Sequence, residues 1–273
     1  MAVQLSRELM RSLGELRYEP TPKRLRARAG ELTLVDSERG VLVWEPKRVV
    51  PSYAVPEEDI QARVVPAVGV EAAEHPVAIT AGGPPVLDPR TGFAAHTCEG
   101  EPLSLEAPGV LLEGAGFRPA GLDGYIALDF DAFEWLEEDE PIVSHPRDPF
   151  HRIDIRRTSR AVRIEVEGVP VAETSSARML FETNLPPRFY LPREDVRLNL
   201  LTPSVKSTAC AYKGHASYWS VEVNGHVHPD LAWGYEQPLS DAADVAGHIA
   251  FFDEHVDVIV DGRRRPRPVS PWS

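Results

Sequence analysis

Two cysteines in 273 residues are too few for a disulfide framework. Cys98 and Cys210 fall in separate halves of the chain, so both are expected as free thiols, which suits a reducing compartment. No apolar run reaches the length of a membrane span. The stretch from Met1 to Leu16 also lacks an apolar core of signal-peptide length. A cytoplasmic protein with no membrane partner is therefore expected. Basic charge is scarce: 29 Lys and Arg face 42 Asp and Glu, a net charge of -13. Nucleic acid, which calls for a basic face, is not an expected partner. The one basic run, residues 263–265 with Arg267, reads as a solvated turn and tail. The sequence has no glycine-rich phosphate loop, nucleophile elbow or Cys-x-x-Cys pair. No cofactor and no metal is expected.

The chain does contain 26 prolines, spread along its length, which favour many turns and short strands over long helices. It also says nearly the same thing twice. Ser37-Glu-Arg-Gly-Val-Leu-Val-Trp-Glu45, then Pro56 and Glu58-Asp59-Ile60, recurs as Ser175-Ser-Ala-Arg-Met-Leu-Phe-Glu182, then Pro192 and Glu194-Asp195-Val196. His96-Thr-Cys98 recurs loosely as Thr208-Ala-Cys210, and Gly124-Tyr-Ile-Ala-Leu128 as Gly247-His-Ile-Ala-Phe251. The preserved order reads as a tandem duplication. It predicts an N-terminal helix within residues 1–20, a degenerate first domain over 21–146 and a second domain over 147–273. Residues 61–95 have no clear counterpart and read as an insertion. The two copies are expected to pack on each other as a pseudo-dimer.

Alternation of apolar and polar residues predicts antiparallel hairpins. They are 25–28 with 31–35, 161–166 with 169–172 around Glu167-Gly168, and 218–223 turning at Asn224-Gly225. Residues 256–260 end at a similar Asp261-Gly262 turn. Leu5, Leu9, Met10, Leu13 and Leu16 have helical spacing over 4–17. Short helices are also expected over 130–138 and 240–245.

Glu182, Leu185-Pro-Pro-Arg-Phe-Tyr-Leu-Pro192, Thr208-Ala-Cys-Ala-Tyr-Lys-Gly214, Tyr218-Trp219, Ala232-Trp233 and Gly247-His-Ile-Ala-Phe-Phe252 resemble the DUF427 family. The resemblance covers residues 158–265, and the first copy is similar more weakly through Ser37, Glu45, Pro56, Glu58-Asp59 and Cys98. It implies a mainly β chain of two tandem antiparallel β-tent-like domains, each with two sheets leaning together. It implies no reaction. The zinc of some β-tent relatives is not expected, because their paired Cys-x-x-Cys elements are missing.

The second copy gathers the chemistry. Lys213, Cys210 and Glu182 are the candidate catalytic residues: an ammonium three residues from a thiol favours thiolate, and a carboxylate at a strand end can move a proton. A Lys213 amine with a lowered pKa could also form an imine with a carbonyl. Arg178, Tyr190, Tyr212, Tyr218, Trp219, Trp233 and Tyr235 are the candidate ligand-binding residues, aromatic walls with sparse polar contacts. His226 and His228 read as exposed hairpin residues. The expected function is binding of a small-molecule ligand, with or without catalysis. The alternative is a non-catalytic module that holds a protein segment or modified residue in an aromatic cage.

Overall fold

The computed structural model describes residues 2–5, 8, 10–67, 76–79 and 82–273. It forms two units, Met1–Val77 with Pro84–Asp148, and Ala78–Gly83 with Pro149–Ser273. The chain is mainly β, as the alternation and prolines predict. Each unit holds a seven-stranded and a four-stranded sheet, and neighbouring strands are antiparallel. No helix among the described residues is long and apolar enough to cross a membrane.

In the second unit the seven strands lie in the order Ile153–Arg157, Arg178–Glu182, Arg188–Pro192, His248–Phe251, His226–Gly234, Gly214–Val223, Leu201–Cys210. The smaller sheet runs Val169–Thr174, Val162–Val166, Asp257–Val260, Arg263–Arg264. Two-residue turns join three of the pairs. Glu167-Gly168, Asn224-Gly225 and Asp261-Gly262 all have positive φ, the conformation that matches the twist of a tight hairpin.

Side-chain alternation splits this unit into two cores. Phe189, Leu191, Trp219, Ile249 and Phe251 point from the large sheet toward Val162, Ile164 and Val258 of the small one. Leu180, Tyr190, Tyr218, Trp233 and Ala250 point to the opposite face, where Ala242 and Val245 of the 3-10 segment Ser240–Val245 join them.

The first unit has the same sheet order: Arg17–Pro20, Val41–Trp44, Ser52–Pro56, Tyr125–Leu128, Val110–Pro119, Gly100–Ala107, Arg63–Pro66. Its small sheet is Leu32–Ser37, Leu25–Ala29, Glu134–Glu137, Glu140–Pro141. This order corrects two readings. Arg63–Pro66 is not inserted sequence, because it occupies the edge position that Leu201–Cys210 fills in the second unit. The additional chain lies after it, partly outside the described residues. Cys98 and Cys210 are also not equivalent. Cys210 ends the edge strand, whereas Cys98 sits just before the next strand inward.

Of the helix expectations, 240–245 is met by the 3-10 segment Ser240–Val245, and the other two give way in large part to extended chain. Leu5 and Glu8 are helical and Arg11–Gly14 is a 3-10 turn, but a strand begins at Arg17. Residues 6, 7 and 9 of that helix lie outside the described residues. Leu5 is 70% exposed, so the apolar stripe is not packed along its length. Phe130–Ala132 is a single 3-10 turn capped by Asp129, after which Glu134–Glu137 pairs with Leu25–Ala29. Sheet pairing there overrides local helix preference.

Candidate functional site

Three side chains meet at one end of the second unit's aromatic face. Glu182 is the last residue of its strand and shares a face with Leu180 and Arg178 by alternation. The turn at 211–213 carries Lys213 to it. Gly214, at φ +90°, lets the chain close that turn, and the Lys213 carbonyl accepts from the Leu239 amide at 3.1 Å. Lys213 Nζ donates to Glu182 Oε1 at 2.6 Å. His151 enters from the segment ahead of Ile153–Arg157, with its Nε2 3.1 Å from Glu182 Oε1. The imidazole stacks on Tyr212 at 4.1 Å between ring centres. Lys213 and Glu182 side chains are 10% and 9% exposed, and His151 is 17% exposed.

Burial alone would push the Glu182 carboxyl up and the Lys213 ammonium down. Their mutual attraction reverses both effects. Lys213 and the His151 hydrogen bond bring Glu182 down to about 2. Glu182, with smaller contributions from Cys210 and Tyr190, holds Lys213 above the ordinary lysine range. Lys213 is therefore an ammonium, so it lacks the free lone pair that imine formation needs. Glu182 is a fixed carboxylate rather than a group poised to exchange protons near neutrality. The carboxylate can orient His151, and the thiol of Cys210 lies within the electrostatic reach of Lys213.

The aromatic residues form a row across the strands. Register pairs Arg157 with Arg178, Arg178 with Tyr190, Tyr190 with Ala250, Ala250 with Trp233, and Trp233 with Tyr218. The polar tips in this row bond to neighbours. Trp233 Nε1 donates to Tyr190 Oη at 3.2 Å, and Tyr218 Oη lies 2.8 Å from Thr208 Oγ1. Burial pushes the Tyr190 phenol up to about 12. Tyr235 belongs to the same cluster. Trp219 does not, because its side chain points into the inter-sheet core and lies under Arg193 at 5.5 Å. Adjacent residues of a strand face opposite ways, so Tyr218 and Trp219 could not both line one face.

The first unit keeps the carboxylate and changes the rest. Glu45, one residue past its strand, accepts from the Thr97 amide at 2.5 Å and lies 2.7 Å from His96 Nδ1. His96 stacks on Phe117 at 3.7 Å. Arg48 is buried nearby and donates to the carbonyls of Gly92 and Ala95. Burial, and then Glu45, push the Cys98 thiol up to about 12. By register, Pro20, Val41, Ala54, Ala127 and Phe117 replace Arg157, Arg178, Tyr190, Ala250 and Trp233.

Sequence reading missed His151, which lies just ahead of Ile153–Arg157. It also missed Arg188, Asp253 and Glu254. Arg188 donates to Glu254, Ser270 Oγ does the same, and the guanidinium lies over Trp233 at 5.8 Å. Burial raises Asp253 to about 7, although Arg188 pulls it back. The charge of these groups was readable; their convergence at one end of a strand was not.

Fold and site together define a mainly β protein with two similarly ordered units and a buried carboxylate–ammonium–imidazole group in the second. Residues 154–262, nearly all of that unit's β structure, match the family model of the domain of unknown function DUF427. No curated protein matches the chain.

Proposed function

We propose that the second unit is a small-molecule-binding domain and that the chain arose by tandem duplication of one such domain. The reading rests on Glu182, Lys213 and His151 meeting on the face that also carries Arg178, Tyr190, Trp233 and Tyr218. A buried ion pair stabilises a fold no better than apolar side chains of similar volume. Its placement beside aromatic rings supports polar recognition of a ligand flanked by flat apolar walls. The shared sheet order supports duplication. Loss of the arginines and of the Tyr190 ring from the equivalent row in the first unit supports assigning ligand binding to the second.

Binding is favoured over imine or acid–base chemistry at Lys213 and Glu182, because each holds the other in its charged form. The burial of Tyr190, Trp233 and Tyr235 disfavours an open aromatic cage for a protein segment. The test is thermal stabilisation of the full chain by a metabolite library, repeated with Trp233→Phe and Lys213→Met. Compounds that stabilise the wild type and lose their effect in both variants support the site. Compounds that stabilise all three proteins equally remove it.

A further inference from the structure

We infer that Arg157 and Arg178 form an anion-binding subsite for a carboxylate or phosphate monoester group on the ligand. This deepens the reading above and rests on it for the location of the ligand. The two arginines are directly paired across neighbouring strands, Ile153–Arg157 and Arg178–Glu182. Directly opposed like charges destabilise a sheet unless something neutralises them. Neither arginine has an ion pair or hydrogen bond that compensates through a described carboxylate. Arg156, one residue earlier and on the other face, does pair with Asp154.

Arg178 is distinctive in a second way. Its Nε is buried and donates to nothing among the described residues. Arg26, Arg48 and Arg188 also have a buried unpartnered nitrogen, but each is anchored through another nitrogen, to Asp139, to loop carbonyls and to Glu254. Arg178 has no such anchor among the described residues. A buried donor without an acceptor costs free energy, and an anion would supply the acceptor.

The position fits the aromatic row. Arg178 is the register partner of Tyr190, so an anionic group held there lies at the edge of that row. The first unit offers an internal comparison. Pro20 and Val41 stand at the two positions, so the cation pair is absent where Ala54 takes the place of Tyr190.

The test is an NMR titration of the full chain with sodium phenyl phosphate, sodium benzoate, inorganic phosphate and benzyl alcohol. The signals followed are Arg178 Nε–H, identified by its loss in Arg178→Gln, and the Trp233 indole N–H. Phenyl phosphate and benzoate are expected to shift both signals in a saturable way, and benzyl alcohol is not expected to shift the arginine. Arg178→Gln and the exposed-site variant Arg157→Gln should each weaken phenyl phosphate at least tenfold without lowering the thermal midpoint of the ligand-free protein. Inorganic phosphate shifting Arg178 alone supports the subsite and separates anion binding from ring contact. Anions that leave Arg178 unmoved while benzyl alcohol shifts Trp233 overturn the subsite and spare the binding reading. Absence of any shift at either signal overturns both. Binding unchanged in the two glutamine variants also overturns the subsite.

Discussion

Lys213 Nζ lies 2.6 Å from Glu182 Oε1, and both side chains are about nine-tenths shielded from water. The pair joins a turn after the edge strand to the end of a strand near the opposite edge of the same sheet. Removing one partner leaves a buried charge, which typically costs about 3–5 kcal/mol. Lys213→Met should destabilise the protein by about that amount, as read by chemical denaturation. Lys213→Met with Glu182→Leu should recover most of the loss. Equal instability of the single and double variants would show that packing, not charge, sets the effect.

The same pair sets an acid limit. The folded Glu182 carboxyl is held down to about 2, below its unfolded value of roughly 4.3. A depressed carboxyl contributes stability that is present above the unfolded value and is lost as pH falls toward the folded one. Denaturation midpoints should therefore fall between about pH 4.5 and pH 2. Glu182→Gln should flatten that part of the curve.

Asp253 has the opposite sign. Burial raises it to about 7, so the folded state holds a proton that the unfolded state has released. Stability is then lost as pH rises from roughly 4 through 7. Asp253→Asn should increase stability at pH 8 and change little at pH 4. A variant that is less stable at pH 8 would mean that the Asp253 charge is favourably held by Arg188.

Tyr190→Phe removes the acceptor for the Trp233 indole N–H, 3.2 Å away. An unsatisfied buried donor costs about 1–3 kcal/mol. Urea denaturation should show a loss in that range. A change near zero would indicate that the indole finds another acceptor.

Cys98 should be a slow thiol. Burial and Glu45 push it to about 12, so the reactive thiolate is rare at pH 8. Mass spectrometry after iodoacetamide treatment should find Cys98 alkylated far more slowly than a cysteine in an unfolded peptide. Glu45→Gln should speed the reaction. Fast labelling of the native wild type would contradict the shielding.

Hairpin turns were legible because local chemistry dictates them. Asn224-Gly225 and Asp261-Gly262 tolerate positive φ, so their strands follow from a few adjacent residues. The helix expected over 130–138 failed because pairing with Leu25–Ala29, more than a hundred residues away in sequence, fixes Glu134–Glu137 as a strand. The candidate set was partly legible for a similar reason. Tyr190, Trp233, Tyr218 and Glu182 were singled out by type, but type alone could not exclude Trp219, whose direction depends on strand register.

The sequence by itself determined the β character, the internal similarity and the identity of the rare side chains in the second half. Patterning and composition act residue by residue and need no knowledge of the fold. Only the tertiary structure decided that His151 reaches Glu182, that Lys213 is held as an ammonium, and that Arg157 opposes Arg178. Those relationships come from long-range strand register and from burial, which reverse or amplify the ordinary chemistry of each group.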